Sequence, residues 1–375
     1  MKLWLVTLVN LQTAGDIVSF TSKSSVVVGW KLLQLSKEGI IYLQEKTFSM
    51  FGTLLSIMVF VTDCDNTLVH YDSSEKSGLS GGFEFSQSTG GDIPDQELIV
   101  MPASSGSGKV ASVSALTIKR LNDIALENVE TICATGMRAS TMLQREGFFP
   151  TINYWACENG GRIFHRANQG EAPTEIVEYA ELFQQNSESQ NDLATFADVL
   201  RGEGWAVDDK GYKTMIRIKG ENQETIVPRI PSTLSHTFNL GYLDVQFPGL
   251  SKLSAVKWIL KNRLNKSKWA DSSAVHISSS MSAVEQTPRF LFMGDDDNDI
   301  EIAAASTIAF ITKPCSIAMQ SFINQYHSQK KAGIEKIVAV QAIHEAQSLR
   351  HKGTEALLAS VLETIKLHNQ SAPDL

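Results

Sequence analysis

Val59 to Leu68 reads VFVTDCDNTL, an apolar strand-like run that ends in two carboxylates one residue apart, Asp63 and Asp65, followed by the hydroxyl of Thr67. At the carboxyl end of a strand in an open α/β sheet, such a pair presents two acids at the mouth of a ligand crevice. Taken alone, the pair would also suit a turn or a calcium loop. The EF-hand form of that loop needs Gly at its sixth place and Glu at its twelfth. Counting from Asp63 those places hold Leu68 and Ser74, and counting from Asp295 they hold Ile300 and Ser306.

Two more strand-like runs end in reactive side chains. Val129 to Ala134 runs into Thr135-Gly136-Met137-Arg138, and Phe290 to Met293 runs into Gly294-Asp295-Asp296-Asp297-Asn298-Asp299. Ser251-Lys252 opens a helical pattern ahead of the third run. Acids alone would repel a phosphate. With a divalent cation and a lysine they become a phosphoryl-transfer site, since carboxylate oxygens suit Mg²⁺ and the metal offsets the charge of acids and substrate alike.

These runs need an α/β sheet whose strand ends share one crevice. The 375 residues, 43% hydrophobic, are enough for two globular units plus extensions. A net charge of −8 gives no basic field for a polyanion, so nucleic acid is not expected as a partner. The cysteines, Cys64, Cys133, Cys157 and Cys315, form no C-x-x-C pair, which points to structural thiols. No run reaches the roughly 18 apolar residues that span a bilayer. Lys2 followed by Leu3 to Leu11 is a weak match to a secretory leader, so the cytoplasm is the expected location, with targeting by residues 1–57 as the lesser alternative. Oligomeric state is not legible.

In chain order, residues 1–57 read as an N-terminal extension and residues 58–150 as the first part of the core. Within that part, residues 71–109 are a Gly/Ser-rich loop or hairpin interrupted by Glu97 to Met101. The loop contains ASSGSGKV, Ala103 to Val110, which lacks the first Gly and the hydroxyl of a P-loop. Ser114 to Asn128 and Ala139 to Glu146 carry helical stripes. Residues 151–249 read as a separate α+β domain, because Tyr212 to Lys219 alternates as a half-exposed antiparallel strand would. There Lys213, Arg217 and Lys219 form a solvated face or meet an anionic substrate. Parallel-sheet units resume over residues 250–375, where Thr354 is expected to cap a helix bearing Leu357, Leu358, Val361, Leu362 and Ile365. The eight histidines show no pairing that suggests a site.

The four motifs in this order resemble the haloacid dehalogenase superfamily of phosphohydrolases, in its Cof-like and sucrose-phosphatase-like branch with a C2-type cap. Motif I resembles Asp63-x-Asp65-x-Thr67, motif II Thr135, motif III Lys252 and motif IV Gly294 to Asp299. The resemblance covers residues 58 to about 325 and implies a Rossmann-like core, with a mostly parallel sheet and an α+β cap inserted between motifs II and III. It implies Asp63 as nucleophile, Asp65 as acid and base, and Thr67, Thr135, Gly136 and Lys252 as phosphate binders. Mg²⁺ would lie on the Asp63 carboxylate, the Asp65 carbonyl and Asp295, supported by Asn298 and Asp299. The implied activity is Mg²⁺-dependent hydrolysis of a small phosphorylated metabolite of the sugar-phosphate class.

There are departures. Asn66 replaces the usual Gly, and the motif II arginine is displaced by one, so Arg138 receives no role. Asp296 and Asp297 are expected to be solvated loop residues. A phosphomutase using the same intermediate, and a non-catalytic metabolite-binding protein on the same fold, stand as alternatives.

Overall fold

A computed structural model of the chain describes residues 58–71, 97–102, 110–184, 187–264, 290–331 and 340–371. The chain separates into two compact units, and the fold below belongs to the larger, residues 57–367. The possible leader, the ASSGSGKV segment apart from Val110, and the Ser-rich stretch before Phe290 lie outside the described residues.

The strands are β1 (Val59–Thr62), β2 (His70–Tyr71), β3 (Leu98–Val100), β4 (Ala111–Ser114), β5 (Glu130–Ala134), β6 (Tyr154–Cys157), β7 (Arg162–His165) and β8 (Thr174–Glu175). They continue with β9 (Ala206–Asp208), β10 (Met215–Lys219), β11 (Ser235–Asn239), β12 (Tyr242–Gln246), β13 (Phe290–Gly294), β14 (Ile308–Ile311) and β15 (Ala342–Glu345). The helices are α1 (Ala115–Leu126), α2 (Ala139–Arg145), α3 (Val177–Gln184), α4 (Ser187–Gly202), α5 (Lys252–Asn262), α6 (Ile300–Ala305), α7 (Ile317–Lys331) and α8 (Arg350–Ser371).

The large sheet has the order β15-β14-β13-β1-β5-β6-β7-β8. It is parallel from β15 to β6 and antiparallel over β7 and β8. β1 lies between β13 and β5 with all four residues buried, which explains its unbroken apolar run. The period of two still sorts its side chains. Phe60, Leu291 and Met293 face one core with Leu121 and Ile124 of α1 and Leu358, Val361 and Ile365 of α8. Val59, Val61, Phe290 and Phe292 face the other with Val256 and Ile259 of α5, Ile302 of α6 and Met319 of α7. This is a mixed α/β fold with helices on both faces of a mostly parallel sheet.

A second sheet, β11-β12-β10-β9, is antiparallel throughout and covered by α4, whose Phe196 and Leu200 pack on Ile216, Ile218, Leu243 and Val245. It is the separate antiparallel unit expected from the alternation of residues 212–219. Three strands from the range read as cap, β6 to β8, add to the large sheet instead. Tyr154 to Cys157 is buried at every residue, the pattern of a strand covered on both faces. A third sheet, β2-β4-β3, follows the motif I turn; its β3 lies within Glu97 to Met101, the interruption of the Gly/Ser stretch, and pairs antiparallel with β4.

Thr354 does not cap a helix. It lies inside α8, fully buried, and donates its hydroxyl to the Thr67 carbonyl at 2.6 Å. The apolar stripe that follows it is buried as expected. One histidine pair does exist: the His70 and His351 rings meet edge to face at 4.6 Å, and His70 Nε2 lies 2.9 Å from Thr354 Oγ1.

Candidate active site

β1, β5 and β13 are adjacent and parallel, so their carboxyl ends deliver Asp63, Thr135 and Asp295 to one edge of the sheet. The Asp63 amide donates to the Met293 carbonyl at 2.8 Å, extending the ladder one residue past β1. The chain then turns tightly, with Leu68 N and Val69 N both donating to Cys64 O. Asn66 has φ +59°, a left-handed conformation that asparagine tolerates where most side chains do not. The departure from glycine is therefore conformationally sound. Cys64 points away from the site into the apolar core that also holds Cys133 and Cys157.

Asp63, Asp295 and Asp299 are buried, with one carboxylate oxygen from each lying within 4.8 Å of the others. Lys252, also buried, donates to Asp299 Oδ1 at 2.7 Å and ion-pairs with Asp63 Oδ1 at 3.0 Å. Ser251 sets the lysine by capping α5, its hydroxyl accepting from Ser254 N at 3.1 Å. Burial pushes the Asp63 carboxyl well above the ordinary carboxylate range; Lys252 opposes this, and Asp299 and Asp65 add to it. Asp295 is pushed up in the same way, by burial first and then by Asp63. Lys252 is held above its ordinary value because its two carboxylates outweigh its desolvation.

The other expected residues fall around this centre with distinct contacts. Thr67 is fully buried and donates to Asp295 Oδ1 at 2.8 Å, so its hydroxyl is committed to orienting that acid. Thr135 Oγ1 accepts from Met137 N at 3.2 Å, which leaves its own proton to give. Gly136 lies against the second sheet: a Cβ there would come 1.9 Å from Asn239 Nδ2. Asp299 Oδ2 accepts from the amides of Asp295 and Asp296 at 3.1 and 3.2 Å, holding the motif IV loop in shape. Asn298 Nδ2 donates to Asn159 Oδ1 at 3.0 Å.

Asp296 departs from the sequence-based expectation, and several basic side chains take specific partners. Asp296 is not a solvated loop residue; it is buried, and its carboxylate accepts from Leu240 N at the tip of the β11–β12 hairpin. Arg138 clamps the second sheet, donating to Lys210 O at 2.5 Å and Asp208 at 2.8 Å and lying over the Tyr212 ring. Arg217 is held in a bidentate pair by Asp244, with both contacts at 2.7 Å, while Lys219 pairs with Asp208 and Lys213 with Glu175. Asn159 links the acid loop after β13 to the second sheet, donating to Asp244 Oδ2 at 2.9 Å while accepting from Asn298. It belongs to three successive left-handed residues, Glu158, Asn159 and Gly160, a costly backbone that a buried Glu158 secures by accepting from Lys213 N and Thr214 N. The second sheet is thus seated on the strand ends by contacts at Arg138, Asn159, Glu158 and Asp296.

Two residues reach Asp65 that the motif reading passes over. Tyr71 donates to Asp65 Oδ1 at 2.6 Å, and Arg145 Nη1 reaches the same oxygen at 3.0 Å. A signal for Arg145 was present: it lies two turns after Arg138, on the inward face of α2 with Met142, where a solvated arginine is not expected.

The donor set can be tested against a divalent cation. Three buried carboxylates face one lysine, leaving a net negative charge that burial would otherwise neutralise by protonation. Among the described residues Asp63 Oδ1 is met only by the Lys252 ammonium at 3.0 Å, and Asn298 Oδ1 is a buried oxygen with no donor. An all-oxygen set of three buried acids, with one donor-less amide oxygen nearby, fits a hard cation such as Mg²⁺.

No protein-family model matches the chain, and no curated protein does. Among solved structures it is similar to a HAD subclass IIB sugar phosphatase, with 12% identity, a TM-score of 0.44 and coverage of 83% of this chain and 99% of that one. It is also similar to a haloalkanoate-superfamily phosphatase from Bacteroides thetaiotaomicron, at 13% identity and TM-score 0.42, covering 84% of this chain and 97% of that one. A trehalose-6-phosphate phosphatase from Aspergillus fumigatus follows at 11% identity and TM-score 0.40, covering 82% and 92%. The likeness is distant and concerns the fold.

Proposed function

We propose that this protein is a metal-dependent phosphatase that hydrolyses a small phosphorylated metabolite, of the sugar-phosphate class, through an aspartyl-phosphate on Asp63. The observation that carries the reading is the Asp63–Lys252–Asp299 arrangement beside Asp295: a buried carboxylate at a strand end, its Oδ1 3.0 Å from a buried ammonium, with two further buried acids beside it. Asp63, Asp295 and the Asp65 carbonyl would hold Mg²⁺, with Asn298 and Asp299 behind them. When bound, the ion offsets the charge of the acids and of the phosphate.

The chain's own groups account for the remaining work. The Asp63 oxygen forms a bond to phosphorus as the bond from phosphorus to the substrate oxygen breaks. Asp65 gives its proton to that departing oxygen and regains one from the water that then attacks phosphorus, releasing phosphate and restoring Asp63. Thr135 and Lys252 supply a hydroxyl proton and a positive charge to the oxygens of the transferring group. Gly136 keeps its backbone open at the place where Asn239 approaches from the second sheet. That sheet, seated by Asn159 and Asp296, is the candidate selector of the substrate's organic part and the candidate barrier to bulk water.

The test is phosphate release from 4-nitrophenyl phosphate by purified protein with and without Mg²⁺. Metal-dependent release that disappears in Asp63→Asn is expected. Full activity in that variant would sink the mechanism, and release unaffected by a chelator would remove the cation from it.

A further inference from the structure

We propose that Arg145 and Tyr71 are positioning residues for Asp65, anchoring one of its carboxylate oxygens so that the other is presented to the leaving-group oxygen; this rests on the phosphatase reading above. Both contacts converge on Oδ1, Tyr71 at 2.6 Å and Arg145 at 3.0 Å, and among the described residues no hydrogen bond reaches Oδ2. Arg145 Nη1 lies 3.3 Å from the Tyr71 hydroxyl, so the three groups form a closed triangle around one oxygen. The Arg145 side chain is fully enclosed while Asp65 keeps 13% exposure, so the pair is sealed on the arginine side and open on the carboxylate side.

The cost of the arrangement argues that it serves chemistry. Among the described residues, Arg145 Nε and Nη2 are buried with no hydrogen-bond partner. A buried arginine that leaves two donor groups unpaired is a poor stabilising device, and an apolar side chain of similar size would hold α2 at least as well. What an apolar residue cannot do is fix a carboxylate rotamer. Asp65 stands at the start of a tight turn and would otherwise swing about χ1 and χ2, whereas proton donation requires the oxygen in line with the bond that breaks. Tyr71 comes from β2, where the chain re-enters a sheet, and Arg145 from the end of α2. The acid is therefore gripped between two elements that do not carry it.

General acid catalysis matters in proportion to the basicity of the leaving group, and this separates positioning from mere scaffolding. The measurement is kcat/KM, which reports phosphoenzyme formation, on the full chain with Mg²⁺. The probes are 2,4-dinitrophenyl phosphate, whose leaving group needs no proton, and glucose 6-phosphate, whose alkoxide does. Arg145→Met, Arg145→Lys, Tyr71→Phe and Asp65→Asn are compared. Loss of aligned general acid catalysis is expected to lower kcat/KM for the sugar ester by about 10²-fold in Arg145→Met, and the aryl ester by less than about threefold, reproducing the pattern of Asp65→Asn. Arg145→Lys recovers part of the loss, and Tyr71→Phe shows the same selectivity at smaller size. Equal losses on both esters, or none on either, would overturn the proposal. If Arg145→Met does not fold, Tyr71→Phe decides by the same ratio. A parent protein that hydrolyses neither ester refutes the phosphatase reading itself, and an active parent with unselective variants refutes only the positioning role.

Discussion

Replacing Lys252 by Met tests the electrostatic core of the site without reference to activity. Lys252 is buried between Asp63 at 3.0 Å and Asp299 at 2.7 Å, with both acids also buried. Methionine keeps the volume and removes the charge, leaving two carboxylates without the cation that pairs them. Breaking a buried pair from one side costs about 3–5 kcal/mol. At about 2–4 °C per kcal/mol this lowers the thermal midpoint by about 6–20 °C.

The pH dependence has a definite sign. Lys252 is held above its ordinary value, so its own contribution is fully present below that value and constant across the neutral range. Asp63 is also raised, and for an acid this means that folding favours the protonated form, so the penalty appears above the ordinary carboxylate range. Removing the lysine raises it further. The deficit of Lys252→Met is therefore larger at about pH 8 than at about pH 5. The assay is a thermal unfolding series in chelator at both pH values. A shift below about 1 kcal/mol, or a deficit that does not shrink in acid, would refute the reasoning.

Mg²⁺ at a hundred times its dissociation constant should stabilise the parent chain by about 2.7 kcal/mol, and Asp295→Asn should abolish most of that gain in a thermal-shift titration. Thr354→Val removes the hydroxyl that binds the Thr67 carbonyl at 2.6 Å and faces His70 at 2.9 Å. Urea unfolding should show a loss of about 1–3 kcal/mol with an unchanged slope, and a smaller loss would mean that α8 does not brace the motif I turn. Gly136→Ala places a methyl group against the Asn239 and Asn159 side chains and should push them from the site, lowering kcat/KM by up to about 10²-fold as an error of about 1 Å in positioning does. Unchanged kinetics would show that the hairpin tip is not part of the site.

Strand ends were the most legible feature of the sequence. An apolar run closing on D-x-D-x-T, a second on Thr135 and a third on the acid cluster gave both the parallel sheet and the meeting of their ends, because a buried parallel strand and a crevice at its end leave strong local signatures. The antiparallel sheet was legible from the alternation over residues 212–219. What escaped depends on tertiary partners that no local pattern records. Tyr154 to Cys157 reads alike in a cap or at a sheet edge, and only pairing with β5 places it in the large sheet. Thr354 carries a good capping residue type, yet α8 begins earlier and uses the hydroxyl for a distant carbonyl. Asp296 looks like loop solvation until Leu240 arrives from a hairpin far along the chain. Arg138 and Arg145 differ in task because one sits at the N-terminal cap of α2 beside the second sheet and the other two turns further on beside Asp65, a distinction of position along the helix.

The central claim is that Asp63 is the nucleophile. It is tested most directly by trapping its acyl phosphate: Asp65→Asn protein, slowed in the water step, is mixed with Mg²⁺ and 2,4-dinitrophenyl phosphate, quenched, reduced with borohydride and mapped by peptide mass spectrometry. Conversion of residue 63 to homoserine, dependent on both substrate and metal, is the predicted result. Release of dinitrophenol at a comparable rate with residue 63 unmodified, or reduction at another acid, would contradict it.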